Sequence, residues 1–247
     1  MSIKLGSTSI GSLYLGSTKI GAAYLGSTKI YESSPSPVDP LNPLGLPPYT
    51  IRVKLASGYT PSAQTGVTQT LVDATENIWD YYKNQNSSNF NSLFYLEEHL
   101  LEVLGANTTG VTDMSNMFYH CTALTTVSLF DTSSVTNMHG MFSVCTALTV
   151  VPLLDTSRTS DMGSMFNNCT ALTAVPLLDT SSATYVNLMF MNCTSVTSGA
   201  LALYTQASSQ INPPSSHALT FKDCGVNTQT GAQELAQIPQ SWGGTGA

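Results

Sequence analysis

The sequence predicts an α/β solenoid, with a parallel sheet on one face and short helices on the other, preceded by a small N-terminal β-repeat segment. Two observations lead to this prediction. A 24-residue unit recurs with little change between positions 111 and 182, and a shorter, decapeptide unit fills positions 1–30. Hydrophobic residues make up 42% of the chain, which is enough for a folded core and argues against general disorder.

The 24-residue unit occurs in three close copies, residues 111–134, 135–158 and 159–182, and successive copies are identical at 15 of 24 positions. Weaker copies precede them in residues 87–110 and follow them in residues 183–206, so we expect five units. The positions that repeat form columns of like side chains: Met117, Met141 and Met165; Phe118, Phe142 and Phe166; Cys121, Cys145 and Cys169; Asp131, Asp155 and Asp179.

Each unit is predicted to hold one helix and one short strand. Met138, Met141, Phe142 and Cys145 follow the i, i+3, i+4, i+7 spacing of one helix face. The pattern Leu-x-x-Val-x-Leu over residues 148–153 is typical of leucine-rich repeats, whose units run to about 20–29 residues. Stacked units of this kind place their strands in one parallel sheet and their helices on the opposite face. The predicted strand neighbours are Val127, Val151 and Val175.

Positions 1–30 repeat the motif Leu-Gly-Ser-Thr-x-Ile, in which Gly-Ser-Thr is a turn signal between short strands. A segment of about 30 residues cannot bury a core alone. One interpretation is an unstructured tail; the other is a β segment that another chain completes. We favour the second, because the apolar register is kept three times. The predicted assembly residues are Leu5, Ile10, Leu15, Ile20, Leu25 and Ile30.

A proline-rich stretch follows, with six prolines in residues 34–48. Proline fixes φ and lacks an N–H, so the stretch should be an extended, stiff spacer. The predicted organisation is therefore the β-repeat segment (1–33), the linker (34–48), an N-terminal cap (49–86), the repeats (87–206) and a C-terminal cap (207–247).

Composition and charge exclude several classes of partner. Charged residues are only 9% of the chain, the net charge is −7, and the chain holds only 8 Lys and Arg residues. Nucleic-acid binding depends on cationic contacts to phosphate, so we expect no nucleic-acid partner. No stretch approaches the roughly 18 apolar residues of a membrane span, so we expect no membrane insertion. Positions 1–20 lack the apolar core of a secretion signal, and we expect no such signal.

The run VTDMSNMFYHCTALTTVSLFDTSS and its copies resemble the BspA-type leucine-rich repeat family, which is found in bacterial surface proteins, mycoplasma lipoproteins and gut phage proteins. The LGSTxI decapeptides are similar to N-terminal segments of fibre-like virion proteins of gut Bacteroides phages. Together these resemblances imply a leucine-rich-repeat fold and a role in attachment.

The residues between the buried strand positions should face outward on the sheet and form a largely apolar, uncharged surface. Apolar patches of several hundred Å² usually mark interaction sites. The alternative is that the third column lies under a cap or turn. The predicted binding surface comprises three columns: Thr126, Val150 and Ala174; Ser128, Pro152 and Pro176; Phe130, Leu154 and Leu178.

The remaining columns favour structure over chemistry. The regular Cys spacing, one per unit, is not that of a zinc site, and each Cys closes an apolar face, so we expect buried thiols. A calcium-binding Asp ladder is conceivable, but Asp-Thr-Ser at a turn more often bonds its own backbone. We find no catalytic motif, and we predict no catalytic residue, no metal and no cofactor.

We therefore predict a non-enzymatic virion protein of a bacteriophage, either a fibre or a decoration protein, assembled in the bacterial cytoplasm. Residues 1–32 would bind sister chains, as a homotrimer, or other virion proteins. The repeats would bind a host surface protein or a glycan. The alternative is a bacterial cell-surface adhesin of the same repeat family. An intracellular scaffold and an enzyme are less favoured.

Deletion of residues 1–33 tests the assembly role. Exposed leucines and isoleucines forfeit about 1.5–3 kcal/mol of burial each, so we expect the full chain to associate and the shortened chain to be folded, monomeric and absent from virus particles. Light scattering and particle proteomics measure this. A full-length monomer in dilute solution with residues 1–32 protected from proteolysis would contradict the prediction.

Overall fold

The computed structural model describes residues 13–15, 18–20, 22–25, 28–32, 42, 44–83 and 88–246. The chain divides into two units, Met1–Asp39 and Pro40–Ala247. None of the helices among the described residues is long and apolar enough to cross a membrane.

Among the described residues of the first unit, four short strands form two antiparallel pairs. Strand β1 (Leu13–Leu15) pairs with β2 (Thr18–Ile20), and β3 (Ala22–Leu25) pairs with β4 (Thr28–Glu32). The predicted assembly residues Leu15, Ile20, Leu25 and Ile30 lie on these strands, whereas Leu5 and Ile10 lie outside the described residues. Most of the predicted linker also lies outside them.

The second unit begins with a five-stranded sheet in the order β6-β7-β5-β8-β9. Its strands are β5 (Thr50–Leu55), β6 (Val67–Asp73), β7 (Ile78–Lys83), β8 (Leu100–Asn107) and β9 (Thr126–Val127). Three of its pairings are antiparallel, and only β8 and β9 pair in parallel. The alternating apolar residues of β5 bury Ile51, Val53 and Leu55. This sheet covers one end of the repeats.

The predicted α/β leucine-rich-repeat solenoid, with its parallel sheet on one face and short helices on the other, is wrong. The part of the chain that the structure describes contains a mixed, mostly antiparallel sheet and only two short α-helices, α1 (Ala200–Ser208) and α2 (Gln229–Leu235). Residues 138–145, predicted to be helical, form consecutive turns.

Left-handed backbone explains why no helix forms there. Each unit holds two residues with positive φ, four positions apart, such as Gly140 (φ 61°) and Val144 (φ 63°). An α-helix requires negative φ at every residue. A positive φ at the third residue of a turn is what type II turns require, so the apolar spacing belongs to stacked turns. The equivalent pairs are Ser92 and Leu96, Asn116 and His120, Ser164 and Asn168, Leu188 and Asn192, and Leu219 and Asp223.

Amide groups in these turns alternate between two kinds of partner. The N–H of Met141 donates within its own turn to the Met138 carbonyl (3.2 Å), whereas the N–H of Phe142 donates to the Met165 carbonyl of the next unit (2.9 Å). The same alternation recurs in each unit. We call each such run of turns a coil; the six coils among the described residues are 88–96, 112–120, 136–144, 160–168, 184–192 and 216–223.

The predicted stacking of equivalent residues agrees with the structure for the methionines and not for the valines. Met117, Met141 and Met165 lie in successive coils, where their carbonyls accept from Phe94, Phe118 and Phe142. The strand half is wrong: Val127 pairs with Val103 in the sheet, and Val151 and Val175 lie in no strand.

Phenylalanine rings form a continuous column through the core. Neighbouring rings are nearly parallel, with centroids 5.3 Å apart between Phe118 and Phe142 and 5.5 Å apart between Phe142 and Phe166. Tyr81 packs against one end and Trp242 against the other. The column consists of Phe94, Phe118, Phe142, Phe166, Phe190 and Phe221.

The five cysteines at 121, 145, 169, 193 and 224 are free and buried. The thiol of Cys145 donates to the Phe118 carbonyl at 3.1 Å, and those of Cys121, Cys169 and Cys193 bond the preceding coil in the same way. Burial raises the pKa of all five thiols. They therefore pack as neutral core residues.

At the C-terminal end, α1 follows the fifth coil and α2 follows the sixth. The Glu234 carboxylate of α2 accepts a hydrogen bond from the N–H of Leu201 at 3.1 Å. This N–H lies in the first turn of α1, where backbone N–H groups have no partner within the helix. Helix α2 is capped by Thr228, whose Oγ1 accepts from the N–H of Gly231. A 3₁₀ turn, Gln240–Trp242, places Trp242 on the last ring of the phenylalanine column.

Val144 offers a test of the turn geometry. A β-branched residue at φ 63° is strained, and the equivalent residues of the next two coils are Asn168 and Asn192, a residue type that tolerates this conformation. Since such strain costs of order 1–3 kcal/mol, we expect Val144→Asn to stabilise the protein by about 1 kcal/mol in urea unfolding. Val150→Asn, at an exposed position with ordinary φ, is the matched control and should change stability by less than about 0.5 kcal/mol. A loss of stability in Val144→Asn would contradict the turn geometry.

Candidate functional site

The three predicted binding columns differ in exposure. Thr126, Val150 and Ala174 are exposed, with Val150 at 60%, whereas Ser128, Pro152 and Pro176 are half-buried. The third column, Phe130, Leu154 and Leu178, lies in the core at 1–3% exposure. The binding role of these residues stays a prediction, but the third column does not lie on the surface.

Two leucines that the predicted strand pattern would bury in the core are exposed. Leu153 is 70% exposed and Leu177 is 68% exposed. Because residues 148–154 form no strand, the side chains directed at the core recur at every third residue and not at every second: Leu148 and Leu154 are buried, and Val151 is half-buried.

The exposed leucines line a cleft that crosses three units. Its volume is about 810 Å³, and it is built from three copies of the segment Leu-(Phe/Leu)-Asp-Thr-Ser, with a glutamine from α1 at one end. The lining residues are Leu129, Phe130, Asp131, Thr132, Ser133, Leu153, Leu154, Asp155, Thr156, Ser157, Leu177, Leu178, Asp179 and Gln206.

The aspartates of the cleft are held by their own turns. Asp155 Oδ1 accepts from the backbone N–H and the hydroxyl of Ser157, at 3.0 and 2.6 Å. These two hydrogen bonds lower the pKa of Asp155. Asp131 accepts the same pair from Ser133, and Asp179 accepts the backbone N–H of Ser181. One oxygen of each carboxylate is thus fixed, which orients the whole side chain.

Threonine hydroxyls tie the neighbouring segments together. Thr132 Oγ1 donates to the Asp155 carbonyl at 3.0 Å, and Thr156 Oγ1 donates to the Asp179 carbonyl at 2.9 Å. At the end of the stack, Gln210 Nε2 donates to Thr180 Oγ1 at 2.6 Å and Gln206 Nε2 donates to the Leu178 carbonyl at 3.0 Å. Helix α1 therefore closes the cleft where the next repeat would continue it.

The cleft combines apolar surface with negative charge. Its lining includes three aspartates and no lysine or arginine. Arg158, next to Ser157, is the single cation adjacent in sequence to the lining residues. None of the three aspartates forms an ion pair within residues 44–83 and 88–246.

The calcium alternative for the Asp column gains no support from the geometry. Over the described residues, no group of three or more His, Cys, Asp or Glu side chains could hold a metal ion. Each aspartate has one oxygen committed to a serine donor, as Asp-Thr-Ser turns predict. The arrangement offers oriented carboxylates beside exposed leucines.

Sequence reasoning missed Leu153, Leu177 and Gln206 as residues of this site. The double leucines at 153–154 and 177–178 were a signal, since one residue of each pair must face away from the core in an extended segment. Pro152 and Pro176 were a second signal, because a proline in a strand pattern argues against a central strand. No feature of the sequence placed Gln206 at the end of the cleft.

Comparison with known proteins identifies one similarity. Residues 85–203, just under half of the chain, match the family described as "Mycoplasma protein of unknown function, DUF285". No curated protein matches the chain, and no solved structure matches it.

The match is compatible with the resemblance to BspA-type repeats, because it spans the 24-residue units. It does not include residues 1–33, so the resemblance to phage fibre-like proteins stays a prediction. The chain is thus similar, over its repeats, to a family of bacterial repeat proteins of unknown function.

Proposed function

We propose that this chain is a non-enzymatic binding protein, displayed on a surface in the manner of BspA-type repeat proteins. We propose further that the cleft lined by residues 129–133, 153–157, 177–179 and 206 holds its partner. The exposed leucines of the cleft carry the proposal. Full burial of a leucine contributes about 1.5–3 kcal/mol, so a partner that covers Leu153 and Leu177 recovers free energy that the isolated chain forgoes.

The size and composition of the cleft support binding. Its volume of about 810 Å³ lies within the range of roughly 300–1,000 Å³ that is typical of ligand sites. Contiguous apolar surface rimmed by polar groups marks interaction sites on soluble proteins. Here the rim is built from the Asp-Thr-Ser turns.

The chemistry of the lining supports a binding role over catalysis. The Asp155 pKa is lowered by its Ser157 hydrogen bonds, which makes this carboxylate a weaker base at neutral pH. The Ser157 hydroxyl donates to this same carboxylate and so stabilises the turn. The groups that face the cleft can orient a partner through charge and hydrogen bonds.

The setting of this function is a bacterial surface in preference to a virion. The similarity of residues 85–203 to a Mycoplasma family favours the cell-surface adhesin, and the virion fibre is the second setting. In both, the hairpins of residues 13–32 and the proline-rich residues 34–48 would anchor the chain and hold the repeats outward.

Adherence of coated beads tests the proposal. Beads carrying the full chain should adhere to mucin-coated surfaces or to intact mammalian epithelial cells. The double variant Leu153→Asp/Leu177→Asp should reduce adherence by roughly tenfold, the equivalent of about 1.4 kcal/mol, because it places charge in the apolar cleft. Particle counting under flow measures both.

The matched control is Ile211→Asp, which changes an apolar side chain that is 98% exposed and outside the cleft. Its beads should adhere as the wild type does. Adherence that is equal for all three proteins, or absent for the wild type on both surfaces, would refute the proposed function.

A further inference from the structure

The repeat units stack with a step close to the pitch of an α-helix. In the core, equivalent phenylalanine rings of neighbouring units lie 5.3 and 5.5 Å apart, and a helix advances about 5.4 Å per turn. A helix laid along the cleft, which is built from three of these units, would therefore present about one turn to each unit. Same-face residues of an extended peptide recur about every 6.6–6.8 Å and would lose this register within the cleft.

Each unit of the cleft presents the same two groups to such a helix. One is a leucine, at position 129, 153 or 177, and the other is a carboxylate, at position 131, 155 or 179. An amphipathic helix offers an apolar stripe flanked by polar positions with the same recurrence. Leucine in the stripe and lysine or arginine beside it would match the cleft at every turn.

The ends of the cleft limit the bound segment to about three turns. At one end Gln206 of α1 closes it, through its hydrogen bond to the Leu178 carbonyl. At the other end the lining stops at Leu129, and the residue equivalent to Leu129 in the preceding unit is Gly105, which offers no side chain to a partner.

We propose that the cleft binds a cationic amphipathic helix of a partner protein or peptide, one helical turn to each 24-residue unit. This inference rests on the proposed function and names the partner's chemistry. The partner helix should be cationic because three aspartates and no lysine or arginine line the cleft.

The α-helices of the described residues do not supply this segment in a second copy of the chain. Helix α1 carries no charged residue, and α2 carries only Glu234. Since the chain has only 8 Lys and Arg in 247 residues, we assign the cationic helix to a different molecule.

Two synthetic peptides of the same leucine and lysine composition test the proposal. Both have about 15 residues, the length at which isolated helices become marginally stable. One places its leucines on a single helical face and the other has them scrambled. Calorimetric titration of the full chain should show at least roughly tenfold tighter binding of the amphipathic peptide.

Charge removal gives the second arm. Asp131→Asn/Asp155→Asn/Asp179→Asn keeps an oxygen to accept the serine N–H, so the turns persist, and circular dichroism verifies the fold. We expect roughly tenfold weaker binding and a flatter salt dependence between about 0.01 and 0.15 M NaCl. Ile211→Ser should bind as the wild type does. Equal binding of the scrambled peptide, or unchanged binding to the triple variant, would overturn the proposal.

The two proposals fail differently. If coated beads adhere in a Leu153- and Leu177-dependent manner but the amphipathic peptide does not bind, the partner class is wrong and the binding function stands. If the peptide binds as expected but no bead adheres, surface attachment is wrong and the specificity of the cleft stands.

Discussion

Hydrogen bonding between coils is the constraint on which the rest of this structure depends. Every second amide of a coil donates to a carbonyl of the next coil, as Phe142 does to Met165. Such bonding requires matching turns in neighbouring coils, whereas the segment between coils can differ in length: the Phe142 N–H donates to Met165, 23 residues on, and the Phe190 N–H donates to Thr220, 30 residues on. It also places equivalent side chains above one another, which produces the phenylalanine column and the buried cysteines that bond the preceding coil. Ser and Thr side chains add to this bonding between units: the Thr136 hydroxyl, for example, donates to the Thr112 carbonyl of the preceding unit.

The cleft is a consequence of that stacking. A segment that buries every third residue leaves Leu153 and Leu177 outside at one fixed position per unit, and the Asp-Thr-Ser turn beside it repeats at the same step. Repetition therefore builds a long site from one short motif. Its boundaries lie where the repeat changes: Gly105 stands at the position equivalent to Leu129, and α1 follows the last unit. The same property that gives the core its regularity gives the surface a periodic pattern of leucine and carboxylate.

The sequence predicted neighbours better than it predicted backbone. Column identity predicted that Met117, Met141 and Met165 lie in successive units. The helix prediction was wrong because apolar residues at i, i+3, i+4 and i+7 occur in stacked turns as well as in a helix. The deciding information lay in the positive-φ positions, where Asn116, Gly140, Asn168 and Asn192 are residues that favour this conformation. The parallel strands failed because Pro152 and Pro176 interrupt them. Neither the helix spacing nor the strand pattern predicted the cleft, because the cleft depends on which of two adjacent leucines is buried in the core.

The hydrogen bond between the Phe142 amide and the Met165 carbonyl tests this account most directly. Scalar coupling transmitted through a hydrogen bond can be detected by NMR between the amide nitrogen of one residue and the carbonyl carbon of its acceptor. Stacked turns predict a coupling from Phe142 to Met165, in the next unit. A coupling from Phe142 to Met138, at position i−4, would show an α-helix and would contradict the account.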